Sequence, residues 1–340
     1  MSSEVIPATS REVRLVSYPE GDVTPDHFAL VESELAAPDE GRVVVRNEWM
    51  SLGAVYRDQM VPETDLPIPV FRLGQPMWGR TVGTVVASGS PDLAVGDLVE
   101  HFHGWREYAT GHAQEFFRRD RGLLPSSEYF LSQGPTAWRG MVEMAQVSEG
   151  DVVFVSGATS GVGSLAGQLA KCRGAKLVIG STGSKEKIDY LVEELGFDAA
   201  FDYHDGPVLD RLRELAPDGI NVFFDNVGGE QFEAAVQAAA PHARFALCGA
   251  LSGQLGTGDG GSPRLDLMAA FPKELVLRPF ATLHTPDQIA DWNRQFSTLL
   301  REKRIVFPHT AVEGGVTELP ANFGALLDRR FSGTVVAKLT

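Results

Sequence analysis

The chain has 340 residues, 43% apolar and 22% charged, enough for a substantial core over the length of about two ordinary domains. Thirty basic against 45 acidic residues give a formal charge of −15, which opposes non-specific attraction to nucleic acid or an anionic membrane. Only Cys172 and Cys248 are present, which excludes a disulfide framework and a structural four-cysteine zinc site.

The N-terminus, MSSEVIPATS, carries neither a basic nor an apolar leader segment, and no run approaches the length of a membrane span. A soluble, cytoplasmic protein is the expectation. The first 125 residues or so read as β-rich, with runs such as Arg42–Arg46 and Thr81–Val86 set between Gly, Pro and Asp turns. Val61–Pro76 contains four prolines and predicts an irregular surface loop, and Pro91–Asp97 predicts a turn between strands. Near residue 131 the pattern changes to apolar strands alternating with helices. Strands are expected at Val152–Val155, Lys176–Ile179, Ala199–Phe201, Val222–Phe224, Arg244–Leu247 and Leu275–Leu277. Helices are expected at about 163–173, 185–195, 207–215, 230–240 and 286–301, and a last strand at Gly333–Ala337. This alternation predicts βαβ units in a parallel, doubly wound sheet.

Strand Val152–Val155 runs into Ser156-Gly157-Ala158-Thr159-Ser160-Gly161-Val162-Gly163, with a helix directly after it. Glycines here make the turn tight, open backbone N–H groups to a pyrophosphate and let the helix pack close to the strand. An ordinary loop shares the glycine content but not the strand before and the helix after, so dinucleotide binding is the better reading. Gly157, Ser160, Gly161, Val162 and Gly163 are its candidate residues. The next strand, ending near Ile179, lacks the acid that an NAD site uses for the ribose 2′-hydroxyl. Gly180-Ser181-Thr182-Gly183-Ser184-Lys185-Glu186-Lys187 follows instead, with hydroxyls and two lysines that suit a 2′-phosphate. The bland alternative makes both lysines a solvated helix face; the missing acid favours NADP(H).

Four further stretches carry a family likeness: Gly183–Lys187, Phe224–Glu230, Cys248–Ser252 and Gly104–Ala109. With the glycine loop, and in this order, they resemble the zinc-free medium-chain dehydrogenases/reductases, specifically the branch of prostaglandin reductases and plant alkenal double-bond reductases. The resemblance spans nearly the whole chain. It implies a GroES-like, partly open β-barrel domain (1–130 and 303–340) and a Rossmann NADP(H)-binding domain with a doubly wound parallel sheet (131–302). It also implies that Lys187 and Tyr203 hold the 2′-phosphate. Asn226 and Cys248, Gly249, Ala250, Leu251 and Ser252 would line the nicotinamide side, with Phe280, Ala281 and Thr282 as a wall. The implied substrate is an α,β-unsaturated ketone or aldehyde, the implied assembly a homodimer, and no nucleic acid, membrane or metal is implied.

The chain departs from the branch at several positions. Gly53-Ala54-Val55-Tyr56-Arg57 replaces Asp-Pro-Tyr-Met-Arg, so the family tyrosine is Val55 and a tyrosine stands one place later. Gln254 replaces the tyrosine two residues after Ser252, Ser160 replaces a glycine, and Arg330 stands for a cofactor-contacting asparagine near the C-terminus. Gln254 and Tyr56 are thereby the candidates for stabilising an enolate or donating a proton. A shift of one residue along a strand would turn Tyr56 to the opposite face.

Other constellations carry less. His101-Phe102-His103 places two imidazoles on one side of a strand but brings no third ligand. No Tyr-x-x-x-Lys pair follows the glycine loop, as a short-chain dehydrogenase would require. Cys248 reads as strand-end packing rather than a nucleophile, and Trp49, Trp78 and Trp105 as core rather than a base-stacking platform. Enone reduction is the leading reading. Quinone reduction on the same fold and non-catalytic NADPH binding are the alternatives.

Overall fold

The computed structural model describes residues 6–64, 68–249 and 263–340. The chain divides into two compact units, Met1–Ser132 with His309–Thr340, and Gln133–Pro308.

The first unit opens with strands β1 (Thr9–Leu15) and β2 (Phe28–Glu34), paired antiparallel. The long strand β3 (Arg42–Leu52) is the organiser of the larger sheet, which continues through β4 (Thr81–Ser88), β5 (Leu98–His101), β6 (Tyr108–His112) and β7 (Phe117–Arg119). The turn Pro91–Asp97 lies between β4 and β5 as its composition predicts. Along one edge β3 pairs with β4, and the register slips at Val44/Val45 and again at Asn47/Trp49. Bulges of this kind bend and twist a strand. The bend lets the other edge of β3 pair first with β6, over Arg42–Arg46, and then with another strand over Trp49–Leu52. Between β3 and β4, helix α1 (Val55–Gln59) is a single turn that the strand-like reading of this segment did not anticipate.

In the second unit the apolar runs form six parallel strands: β8 (Val152–Val155), β9 (Leu177–Thr182), β10 (Ala199–Asp202), β11 (Ile220–Asp225), β12 (Ala239–Leu247) and β13 (Val276–Pro279). Their order is β10-β9-β8-β11-β12-β13, the doubly wound arrangement whose direction reverses between β8 and β11. Register sets Phe154 of β8 and Phe245 of β12 on either side of Phe223 of β11. Ring centroids lie 5.0 and 5.2 Å apart, and all three rings are fully buried. Burying each contributes about 1.5–3 kcal/mol, which is why these strands read as continuous apolar runs rather than as alternation. Helices α2 (Gly163–Cys172), α3 (Lys185–Glu193), α4 (Val208–Leu215) and α5 (Gly229–Ala238) connect successive strands, and the helix expected at 286–301 forms over Pro286–Arg301.

Residues 303–308 belong to this second unit, not to the first as the boundary at 303 expects. Gln168 on α2 holds them: its amide donates to the Val306 carbonyl at 3.3 Å and its Oε1 accepts the Val306 N–H at 2.8 Å. The chain then returns to the first unit as β14 (His309–Val312) and β15 (Thr334–Lys338). β15 pairs antiparallel with Trp49–Leu52 of β3, so both chain ends build one sheet. The Leu339 N–H and the Thr340 hydroxyl donate to the Glu48 and Asn47 carbonyls at the bend. Among the described residues no helix is long and apolar enough to cross a membrane.

Candidate cofactor site

The carboxyl ends of parallel strands are where a doubly wound sheet opens a crevice, and the strand order reversal places that crevice above β8 and β11. The glycine turn leaves β8 there. Gly157 adopts φ +57°, which favours glycine, and a Cβ on Gly163 would lie 2.5 Å from the Gly157 carbonyl oxygen and 3.0 Å from Ala158 Cα. Only glycine lets α2 start this close to the strand. Ser160 accepts the Gly163 N–H on its hydroxyl at 3.0 Å, while Gly161 and Val162 complete a half-buried turn.

Behind the turn lies a polar network that the sequence does not advertise. The Ser156 hydroxyl donates to Asp225 Oδ1 at 2.8 Å, and the same oxygen accepts the Val227 and Gly228 N–H groups at 3.0 and 2.9 Å. Ser156 in turn accepts the Asn226 N–H on its hydroxyl and the Asn226 side-chain amide on its carbonyl, both at 2.8 Å. The Asp225 carbonyl takes the Cys248 N–H at 2.8 Å and the Gly249 N–H at 3.1 Å. Asp225 thus ties the ends of β8 and β11 together through its buried carboxyl and the end of β12 through its backbone carbonyl. Burial raises the Asp225 pKa even against the three donors. The available signal was positional: a polar residue directly after an apolar strand in two neighbouring βαβ units.

Asn226, Cys248 and Gly249 are brought together at this crevice. Burial, with the Asp225 charge adding to it, pushes the half-buried Cys248 thiol up to about 12, which disfavours the thiolate that a nucleophile needs. Ala250, Leu251, Ser252 and Gln254 lie outside the described residues. Phe280 follows β13, donates its N–H to the Leu247 carbonyl at 3.2 Å and sets its ring edge-on to Phe224. Ala281 and Thr282 continue from it, exposed.

At the other side of the crevice, β9 ends in Thr182, whose carbonyl accepts the Tyr203 N–H at 3.1 Å. A Cβ on Gly183 would sit 3.3 Å from the Tyr203 hydroxyl, so the ends of β9 and β10 are in contact. Ser184 caps α3 by accepting the Lys187 N–H. The two lysines differ: Lys185 is exposed and holds Asp189 at 2.8 Å, while Lys187 is half-buried. Hydroxyls, Lys187 and Tyr203 without an acid at the strand tip form a donor set that fits a phosphate dianion.

Two candidate residues belong to the first unit. Arg330 is exposed after the helix Leu319–Leu327 and pairs with Asp328 at 2.9 Å. Tyr56 does turn inward, because α1 is helical and neighbouring side chains diverge: Val55 is exposed and Tyr56 is buried. The Tyr56 ring packs edge-on against Phe71 and Trp105, and its hydroxyl donates to the Ser51 carbonyl at 3.0 Å. Burial pushes this phenol up to about 12. It is a core residue with its proton already donated. His101 is likewise fully buried, 4.8 Å from the Phe116 ring, and His103 faces Glu115 at 3.6 Å. Trp105 stacks on Phe28 in the same core as Tyr56.

Comparison with known proteins agrees with this geometry. The N-terminal domain of oxidoreductases matches residues 11–118, and the zinc-binding dehydrogenase family matches residues 161–298. The NADPH-dependent curcumin reductase of Escherichia coli (strain K12) is 31% identical over 332 residues, covering 96% of this chain and 95% of the relative. The chain belongs to the zinc-free reductase branch of the medium-chain dehydrogenase/reductase superfamily. Another member, prostaglandin reductase 1 of Oryctolagus cuniculus, is 30% identical and covers 90% of this chain and 87% of its own. Among solved reductases, CurA from Vibrio vulnificus in complex with NADPH superposes with a TM-score of 0.88 at 28% identity, over 97% of this chain and 99% of that one.

Proposed function

We propose that this reductase uses NADPH to reduce the carbon–carbon double bond of an α,β-unsaturated ketone or aldehyde. The protein is an NADP(H)-dependent oxidoreductase of a double-bond-reducing branch, and its relatives are named for curcumin and prostaglandin reduction. The observation that carries the reading is the convergence of the glycine turn, Asn226 and Cys248 at one end of the sheet, beside a β9 tip that offers donors and no acid. Glycine 157 to glycine 163 would hold the pyrophosphate, Lys187 and Tyr203 the 2′-phosphate, and Asn226, Cys248 and Phe280 the nicotinamide side; Arg330 is carried as a further contact.

The chemistry a bound NADPH would supply is a hydride for the substrate β-carbon. Negative charge then collects on the carbonyl oxygen, so the protein's main contribution beyond orientation is a placed donor. Gln254 is that donor in this reading, acting with the nicotinamide ribose hydroxyl. Its amide can donate a hydrogen bond but does not readily give up a proton, so the α-carbon takes its proton from solvent. The test is NADPH oxidation against enones, enals, enoyl thioesters and quinones. Enones or enals should turn over fastest, and faster turnover of flat two-oxygen acceptors would make the protein a quinone reductase. Loss of one such donor costs roughly 2.7–4 kcal/mol, and with the ribose hydroxyl remaining, Gln254→Ala should lower kcat by about one to two orders of magnitude. Tyr56→Phe should leave kcat nearly unchanged. The reverse outcome would make Tyr56 the acid.

A homodimer is part of the same reading. β13 forms one edge of the six-stranded sheet, and an exposed sheet edge is a template for a second copy. Sedimentation as a dimer at micromolar concentration is expected, and a monomer there would refute it.

A further inference from the structure

The segment after β13 has little of its own to hold it. From Phe280 to His284 it forms neither helix nor strand, and Ala281, Thr282 and Leu283 are exposed. Its position is set by a short stretch at the start of the second unit. Residues Gly134–Trp138 form one helical turn, and Arg139–Met144 continue it as a π-helical turn, a widened geometry that concentrates at functional sites. Arg139 leaves this turn and donates through one guanidinium nitrogen to the carbonyls of Ala281 at 2.9 Å and Leu283 at 3.2 Å. Thr136, one helical turn earlier, lies 2.9 Å from His284 Nε2. Gly140 sits directly beneath Phe280: a Cβ there would lie 2.7 Å from Phe280 Cζ and 2.4 Å from Phe224 Cε2. The π-turn therefore grips the segment by its backbone at two points and leaves a seat for the Phe280 ring.

We propose that Arg139 is a positioning residue for the nicotinamide end of the cofactor, setting the Phe280–Thr282 wall through the Ala281 and Leu283 carbonyls. This rests on the reading that the wall faces the nicotinamide. Arg139 touches neither cofactor nor substrate in this scheme; it acts through backbone that is also held, among the described residues, at the Phe280 N–H, the Phe280 ring and His284. One nitrogen serves both carbonyls, a pair of contacts that an ammonium can also make, as Lys273 does with the Val236 and Gln237 carbonyls at 3.0 and 2.7 Å. The effect should be confined to one end of the crevice, because Lys187 and Tyr203 lie at β9 and β10, on the opposite side of the strand order reversal.

The experiment compares two ligands on the intact protein: NADPH, and adenosine 2′,5′-bisphosphate, which carries the 2′-phosphate and no nicotinamide. Arg139→Ala should weaken NADPH binding about ten-fold, the scale of a lost charged hydrogen bond, and leave the bisphosphate affinity unchanged. Arg139→Lys should recover part of the loss. Gly140→Ala, which intrudes on the Phe280 ring from below, should show the same selectivity, with melting temperature recorded alongside. Unchanged NADPH affinity in Arg139→Ala, or equal weakening of both ligands, overturns the proposal. Equal affinity of the unmodified protein for both ligands would overturn the assignment of the wall to the nicotinamide, and the proposal with it.

Discussion

Asp225→Ala is expected to destabilise the nucleotide-binding unit by about 3 kcal/mol, since each buried donor left unpaired costs about 1–3 kcal/mol. The Ser156 hydroxyl and the Val227 and Gly228 N–H groups all converge on one carboxylate oxygen, and Asp225 is 3% exposed. Gly228 and Gly229 take φ +73° and +53°, which wraps the amides tightly over that oxygen and leaves little freedom to find other acceptors. For a unit of this size the loss should lower the melting temperature by about 6–12 °C. Asp225→Asn should behave differently, because its Oδ1 can receive the same three donors without a buried charge. Native Asp225 has a raised pKa, so the folded state binds more protons than the unfolded state once pH passes the ordinary value of 3.8. Its contribution to stability is greatest in acid and falls as pH rises through the folded pKa. The stability difference between Asp225→Asn and the unmodified protein should therefore shift in favour of the variant from acidic to neutral pH. Denaturant unfolding across that range checks it; a difference that does not change with pH would mean that Asp225 is ionised at its ordinary pKa.

Lys187→Ala is expected to erase most of the preference for NADPH over NADH. A lysine paired with a phosphate dianion contributes roughly 1.5–3 kcal/mol, about ten- to a hundred-fold in affinity. Lys185→Ala is the internal control, since Lys185 is exposed and already directed at Asp189. Titration of each variant with both cofactors separates the two. Equal affinity of the unmodified protein for NADPH and NADH would remove the argument from the missing acid at the β9 tip, and a selective loss in Lys185→Ala would move the role to that residue.

Much of this protein is written locally. Strands β8 to β12 and the helices between them recur every 19–25 residues, and their apolar runs are legible because both sheet faces are buried. The glycine turn is legible for the same reason, as a strand, a tight turn and a helix start are all adjacent in sequence. The absent acid after β9 needs only one strand end to be seen. Family membership follows from stretches that are each a few residues long.

What the tertiary structure decided is non-local. Ser156 meets Asp225 across 69 residues, and Arg139 meets Ala281 across 142, contacts that exist only once β11 lies beside β8 and β13 closes the far edge. Residues 303–308 go with the second unit because Gln168, distant in sequence, captures Val306. Tyr56 is the sharpest case. Read on a strand, a one-residue shift from the family tyrosine turns it away; on α1 the same shift turns it into the Trp105 and Phe71 core and leaves Val55 exposed. The choice between those two geometries depends on which neighbours can bury the ring, and packing between distant segments settles that, not the period of the residues around it.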